Sequence, residues 1–344
     1  MKKDNLLFRF IRDFLIEYLP NQKFCSPNTV QAYKTSLALF LEFVKTEKKL
    51  PLYQITFETI TQSVLANFLN WLENERGCSI RTRNHRLACI RSFYKYAGGM
   101  DLTVTSHQHE ILKVPLKKED KVITVPYLSE KALTTVLLQP NTSTKKGFRD
   151  LFYMILMYDT GARNSEILHL KVHDVHPDEN KPYIIVTGKG NKTRVIPIMP
   201  KTVEYFHKYI SLFHEDVSVN NHLFYVVKNN HKQEMSPDNV ARFMKIYGES
   251  AKAICPEMPN KLHPHIFRHT RAMHLYREGM PLVLISEWLG HSHIETTMVY
   301  ANADTEMKRK AIEKATKPHN PLNAERNIKI VYDDKTIKKL YGLL

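Results

Sequence analysis

Six residues between positions 163 and 300 of the 344-residue chain have side chains suited to chemistry on an oxyanion: Arg163, Lys189, His265, Arg268, His291 and Tyr300. A guanidinium is a planar fork that matches phosphate or carboxylate oxygens two at a time. A tyrosine ionises near 10 and attacks slowly unless cations stabilise its phenolate. Two arginines and a lysine supply such charge, and histidines move protons near neutrality. Spacing says more than type. His265-Ile266-Phe267-Arg268 puts a histidine and an arginine on one face of a helix, although in a chain with 17 histidines about one such pair arises by chance, and His274 with Arg277 is a second. The surroundings therefore decide. Downstream come Leu289-Gly290-His291, Thr296-Thr297 and Tyr300. Upstream, Thr160-Gly161-Ala162-Arg163-Asn164-Ser165-Glu166 places an arginine after a glycine at a helix start, and Lys189 occupies a hairpin tip.

In the order arginine, lysine, H-x-x-R, L-G-H, tyrosine, the chain resembles the tyrosine recombinase/integrase family, which includes phage integrases and the Xer resolvases. The resemblance covers about Tyr127 to Lys314 and, more weakly, a helical first domain similar to the family's SAM-like core-binding domain. It implies that Arg163 and Arg268 clamp the non-bridging oxygens of a scissile phosphate, where phosphoryl transfer builds charge. It also implies that Lys189 protonates the departing 5′-hydroxyl, that His265 and His291 divide proton transfer and phosphate binding, and that Tyr300 forms a 3′-phosphotyrosyl intermediate. Lys192 is the competing hairpin lysine, and Glu166 supports the arginine geometry. Ala162 and Asn164 depart from the commonest family pattern without touching this chemistry.

These residues need elements to hold them. Residues 127–316 read as a catalytic domain, mostly helical with a small antiparallel sheet. Tyr183–Thr187 and Arg194–Ile198 are β-branched runs around Gly188-Lys189-Gly190-Asn191-Lys192, a hairpin. Helices are predicted over Phe148–Tyr158, His265–Arg277, Leu282–Leu289 and Thr305–Lys314, with others opening at Ser129 and Ser236. Residues 1–106 read as a four-helix DNA-binding domain in which Ser26-Pro27 opens a helix. Residues 107–126, after Gly98-Gly99 and with Pro115 and a charge run, read as a linker. Residues 317–344 form a tail whose apolar stretches, Ile328–Tyr332 and Ile337–Leu344, are expected to pack on a neighbouring protomer, as the resemblance implies.

The helix from Ile80 to Ala97 lacks acidic residues. Its apolar arc holds Ile80, Leu87, Ile90, Phe93 and Tyr94; the opposite arc is basic. Arg81, Asn84, Arg91 and Lys95 on that arc, with Lys34, are the candidate DNA contacts, while Arg83 and Arg86 fall toward the apolar side.

A net charge of +15, with 43% hydrophobic and 25% charged residues, favours a polyanionic partner. No apolar run approaches the ~20 residues of a membrane span, no signal peptide is legible, and a cytoplasmic protein is expected. Cys25, Cys78, Cys89 and Cys255 form no C-x-x-C pair, against a zinc site or a disulfide framework. Without paired acidic ligands or a phosphate-cradling loop, no cofactor, Mg²⁺ or ATP is expected. His263-Pro264-His265 and His291-Ser292-His293 lack a third metal ligand. The expected partners are double-stranded DNA, further copies of the chain (a dimer on a site, a tetramer in synapsis) and accessory recombination proteins. A site-specific recombinase of integrase or transposon type leads. The residues around Tyr300 and the absence of room for an arm-binding module favour a mobile element over a housekeeping enzyme. A type IB topoisomerase-like nicking-closing enzyme and a DNA-binding regulator that leaves the chemistry unused stay open.

Overall fold

The computed structural model describes residues 5–119, 125–188, 190–214, 221–229, 231–291, 293–303, 309, 312–313 and 333–343. The chain divides into two compact units, residues 1–122 and 123–344, each mostly helical; the small antiparallel sheets belong to the second.

In the first unit, α1 (Leu6–Asp13) starts at Asn5, whose side chain accepts the Leu7 amide, and continues as a π-helical segment, Phe14–Gln22. Helix α2 (Pro27–Lys48) has the expected start: the Ser26 hydroxyl accepts the Thr29 amide and proline occupies the first turn, where no amide is needed. Helices α3 (Gln62–Asn74) and α4 (Ile80–Met100) are capped in the same way by Thr61 and Ser79. Phe14, Phe40, Phe68, Leu87, Ile90 and Phe93 fill the core between them.

The stretch expected to be linker is different. Residues Thr105–Lys113 form a helix, α5, with Ile111 buried. Gly98, read as a breaker, lies inside α4, where a Cβ would come 1.8 Å from Gln108 Oε1. It is the contact that lets α5 lie against α4. This explains a second difference, because the arc of α4 assigned to DNA partly faces α5 and the chain after it. Arg91 Nη2 donates to the carbonyls of Leu112, at 2.7 Å, and Val114. Asn84 Nδ2 donates to Lys117 O at 2.8 Å while its Oδ1 accepts the Lys117 amide at 3.1 Å. Arg83 is buried, as its side of the wheel suggested, beside Glu73, which also pairs with Lys117 at 2.6 Å. Arg91 and Asn84 are thus fasteners of the α5 segment, whereas Arg81, Lys95 and Lys34 are exposed.

Arg91→Ala is accordingly expected to cost about 1.5–3 kcal/mol of stability, the loss of a charged donor from buried carbonyls, without altering the salt dependence of DNA binding. Arg81→Ala or Lys95→Ala is expected to do the reverse, flattening that dependence by about one phosphate contact. Denaturant unfolding and binding titrations across salt concentrations separate the two behaviours.

The second unit begins with α6 (Glu130–Leu137), capped by Ser129, and α7 (Lys145–Thr160). Phe148, Phe152, Tyr153, Met154 and Met157 make α7 the centre of the core, packed by α9 (Pro200–Phe213) and α11 (Pro264–Arg277). Its C-terminal end is anchored by Asp159, whose carboxylate accepts from the Met199 amide at 2.8 Å, the Thr202 hydroxyl at 2.7 Å and Arg271 at 3.3 Å. Between α8 (Asn164–His169) and α9 run β1 (Val175–His176), β2 (Tyr183–Thr187) and β3 (Thr193–Pro197), an antiparallel sheet in that order. Thr187 faces Thr193 at the expected hairpin.

A second hairpin, β4 (Tyr225–Lys228) with β5 (His231–Glu234), was not foreseen. Helix α10 (Pro237–Ile254) precedes α11; α12 (Leu282–Leu289) and α13 (Glu295–Ala303) follow. Of the helix expected over Thr305–Lys314, only residues 309, 312 and 313 are described. Ile328–Tyr332 lies outside the described residues, and Asp334–Leu340 is helical. Among the described residues, no helix is long and apolar enough to cross a membrane.

Candidate active site

The C-terminal end of α12 organises the site. Three successive carbonyls there each accept a hydrogen bond from a different arginine: Trp288 O from Arg194 Nε at 3.1 Å, Leu289 O from Arg268 Nη2 at 2.7 Å, and Gly290 O from Arg163 Nη2 at 3.1 Å. Such carbonyls have no partner within the helix and carry the negative end of its dipole, so cations gather on them. Gly290 makes the arrangement possible. Its φ is +65°, and a Cβ would lie 3.0 Å from the Arg194 guanidinium, so both its backbone and its lack of a side chain are used.

Arg268, from α11, is buried, at 4% exposure. Its second nitrogen donates to Gly161 O, past the end of α7, at 2.7 Å. Burial and the neighbouring Arg163 push its pKa down to about 10, and it remains a cation at neutral pH. Arg163 opens α8, and its guanidinium is one-third exposed. It pairs with Glu166 at 2.8 Å, the ordinary salt bridge its sequence position allows, but this bond occupies only part of the fork. Glu166 also accepts the Arg163 amide at 2.7 Å and both terminal nitrogens of Arg194 at 3.0 and 2.8 Å. Burial alone would raise this carboxyl; the bonds from Arg194 and Arg163 overcome it and hold the pKa at about 2.

Tyr300, on α13, is 1% exposed, and its hydroxyl is 3.0 Å from Nδ1 of His269. Burial raises the phenol's pKa while the charge of Arg268 pulls it down. His291, just past Gly290, is half-buried with Nδ1 2.8 Å from the hydroxyl of buried Thr297. Burial and the charges of Arg268, Arg163 and Arg194 depress its pKa to about 4. His265 is exposed on α11, its ring centroid 6.4 Å from that of His269. The structure thus gathers Arg163, Arg268, His291 and Tyr300 around the end of α12, with His265 one turn before His269. Lys189 lies outside the described residues.

Two members of this cluster escaped the sequence reading. Arg194 occupies an inward position of β3: Ile196, two residues on, is fully buried, while Val195 between them is exposed. An arginine on the apolar face of an alternating strand was the available signal. His269 is four residues after His265, on the same helix face.

A chain that draws several arginines onto one helix end beside a buried tyrosine invites comparison with known proteins. The Phage integrase family profile matches residues 105–307, and the family's N-terminal SAM-like domain matches residues 11–98. The chain belongs to the phage integrase family of tyrosine recombinases. It is 31% identical over 240 residues to tyrosine recombinase XerA of Pyrococcus horikoshii, across 70% of this chain and 75% of that one. To tyrosine recombinase XerD of Staphylococcus saprophyticus it is 29% identical over 303 residues, across 86% and 94%. The fold is similar to that of the Tn1549 transposon integrase in complex with transposon right end DNA, with a TM-score of 0.67 at 16% identity over 91% of this chain and 99% of that one. Within this integrase family frame the two units follow the order of the two matched segments.

Proposed function

We propose that Tyr300 is the nucleophile with which this site-specific DNA recombinase opens a strand, becoming joined to the 3′ phosphate while a 5′-hydroxyl leaves. What carries the reading is the buried Tyr300 hydroxyl close to Arg268, whose guanidinium shares the end of α12 with Arg163. The two forks are suited to the non-bridging phosphate oxygens, Arg163 through its exposed third and Arg268 through donors not used on Gly161 and Leu289. His265, exposed on α11, is available to the phosphate, and His291 is oriented by Thr297. Lys189 is assigned the proton for the leaving oxygen on the family's pattern. Residues 1–106 act as the core-binding domain, now with α5 as an added support, residues 127–316 as the catalytic domain and residues 317–344 as a tail.

The test uses a duplex whose sequence the full-length protein selects from a random pool, nicked beside the mapped scissile phosphate so that the reaction cannot reverse. Wild-type protein is expected to accumulate a 3′-linked covalent adduct in EDTA. Dependence of strand exchange on two such sites supports a recombinase over a topoisomerase-like cycle, which needs one, and adduct formation argues against a regulator that only binds.

Assembly is proposed on the same footing: a dimer on each site and a tetramer in synapsis, with accessory recombination proteins admitted, in the cytoplasm. Ile337, Leu340, Tyr341 and Leu343 are exposed on and after the last helix, which suits a tail that docks on a neighbouring protomer. Deleting residues 328–344 is expected to leave single-site binding within about twofold and to reduce synapsis at least about tenfold, since apolar contacts of this size are worth a few kcal/mol. Gel-shift and synapsis assays on the truncated protein check it.

A further inference from the structure

We propose that His269 is a catalytic residue, the base that takes the Tyr300 proton as the phenol attacks phosphorus. This rests on Tyr300 being the nucleophile and names a group that the family's motif does not. The geometry is direct. Nδ1 of His269 is 3.0 Å from the Tyr300 hydroxyl, and the rings meet edge to face with centroids 5.8 Å apart. Tyr300 is 1% exposed, so its hydroxyl proton needs a protein acceptor. Arg268, the nearby charge, has only donors. Neutral His269 with its proton on Nε2 supplies the lone pair. The hydrogen bond to the Tyr300 hydroxyl is made by His269, whereas His291 bonds Thr297 through Nδ1 and His265 is exposed one turn earlier on α11.

The surroundings set the protonation state. Facing His269 are His263, His265 and Arg268 on or beside its own helix, His291 after α12 and Tyr300 on α13. Burial, then His265, Arg268 and His263, hold its pKa down to about 4, which leaves it unprotonated at neutral pH. A phosphodiester between Arg163 and Arg268 offsets part of that positive field, so the imidazole becomes more basic when substrate arrives. In the step itself the Tyr300 O–H bond breaks and its proton passes to Nδ1, the phenolic oxygen bonds to phosphorus, and the bond from phosphorus to the 5′-oxygen breaks. That oxygen takes a proton from the acid, the role assigned to Lys189.

The experiment isolates deprotonation of the nucleophile by placing a 5′-bridging phosphorothiolate at the scissile position of the nicked duplex, because sulfur leaves without needing a proton. Single-turnover adduct formation is followed from pH 6 to 9 for full-length wild type, His269→Asn and His269→Phe. Asparagine puts an acceptor oxygen where Nδ1 was but takes no proton; phenylalanine keeps the ring volume alone. Expected are a wild-type rate flat above pH 7 and an Asn variant about 10²–10³-fold slower at pH 7. The Asn rate should climb about tenfold per pH unit toward wild type, since hydroxide replaces the base. His269→Asn within threefold of wild type, or a deficit constant across pH, overturns the proposal. Should His269→Phe fail to fold, the Asn profile decides. Absence of adduct from wild type would instead refute Tyr300 as the nucleophile.

Discussion

The Tyr300→Phe protein is expected to bind its DNA site with wild-type affinity and to form no detectable covalent adduct. Phenylalanine keeps the ring in its buried place on α13 and removes one hydroxyl, whose bond to His269 is worth about 0.5–1.5 kcal/mol to the fold. Affinity for DNA resides in many phosphate contacts and is indifferent to one buried oxygen. The chemistry, by contrast, loses the atom that must bond to phosphorus. A nicked duplex, denaturing gels and EDTA in the buffer make the measurement. An adduct persisting in Tyr300→Phe would mean that another side chain attacks, and wild-type cleavage abolished by EDTA would mean that a metal ion takes part.

Arg268→Lys should be nearly as damaging to cleavage, with a fall of about 10²–10³ in the single-turnover rate, the usual cost of removing one well-placed oxyanion donor. The guanidinium spans two carbonyls, Gly161 O and Leu289 O, each at 2.7 Å. An ammonium cannot bridge both and still present a fork to phosphate. Lysine is the informative replacement because it keeps the charge, so binding is expected to change less than about threefold. Alanine would leave two buried carbonyls without donors, at about 1–3 kcal/mol each, confounding chemistry with folding. A Lys variant that cleaves at the wild-type rate would leave only the charge of Arg268 important.

Much of this was legible because local rules and global fold agree. Ser26, Ser129 and Ser236 each cap the helix they precede, and the Gly188–Lys192 turn joins the two β-branched strands. H-x-x-R, L-G-H and tyrosine marked Arg268, His291 and Tyr300 through their joint order and the family resemblance it carries. The misses have physical causes. Gly98 reads as a helix breaker in one dimension and is a packing contact in three, so α5 was lost. With it went the partner that turns Arg91 and Asn84 from free polar groups into fasteners. Helix α13 was not foreseen because Thr296, Thr297 and Val299 are β-branched and weakly helical by themselves; packing against α11 and α12 decides. His269 was hidden because the pairing that matters runs from α11 to α13, a distance that no helical period encodes.

Of the three guanidinium groups on the end of α12, Arg163 and Arg194 pair with Glu166, while Arg268 donates to the carbonyls of Gly161 and Leu289. Neutral dipoles hold the remaining charge. A buried cation without a full counterion is costly, and the fold bears that cost until an anion arrives. Occupancy and folding are therefore linked: an oxyanion that neutralises the cluster stabilises the folded form by mass action. Inorganic sulfate should raise the melting temperature of the protein, and more than chloride at equal ionic strength, with the increment shrinking in Arg163→Ala. The enzyme thus trades intrinsic stability for a site that becomes most stable when a DNA phosphate occupies it.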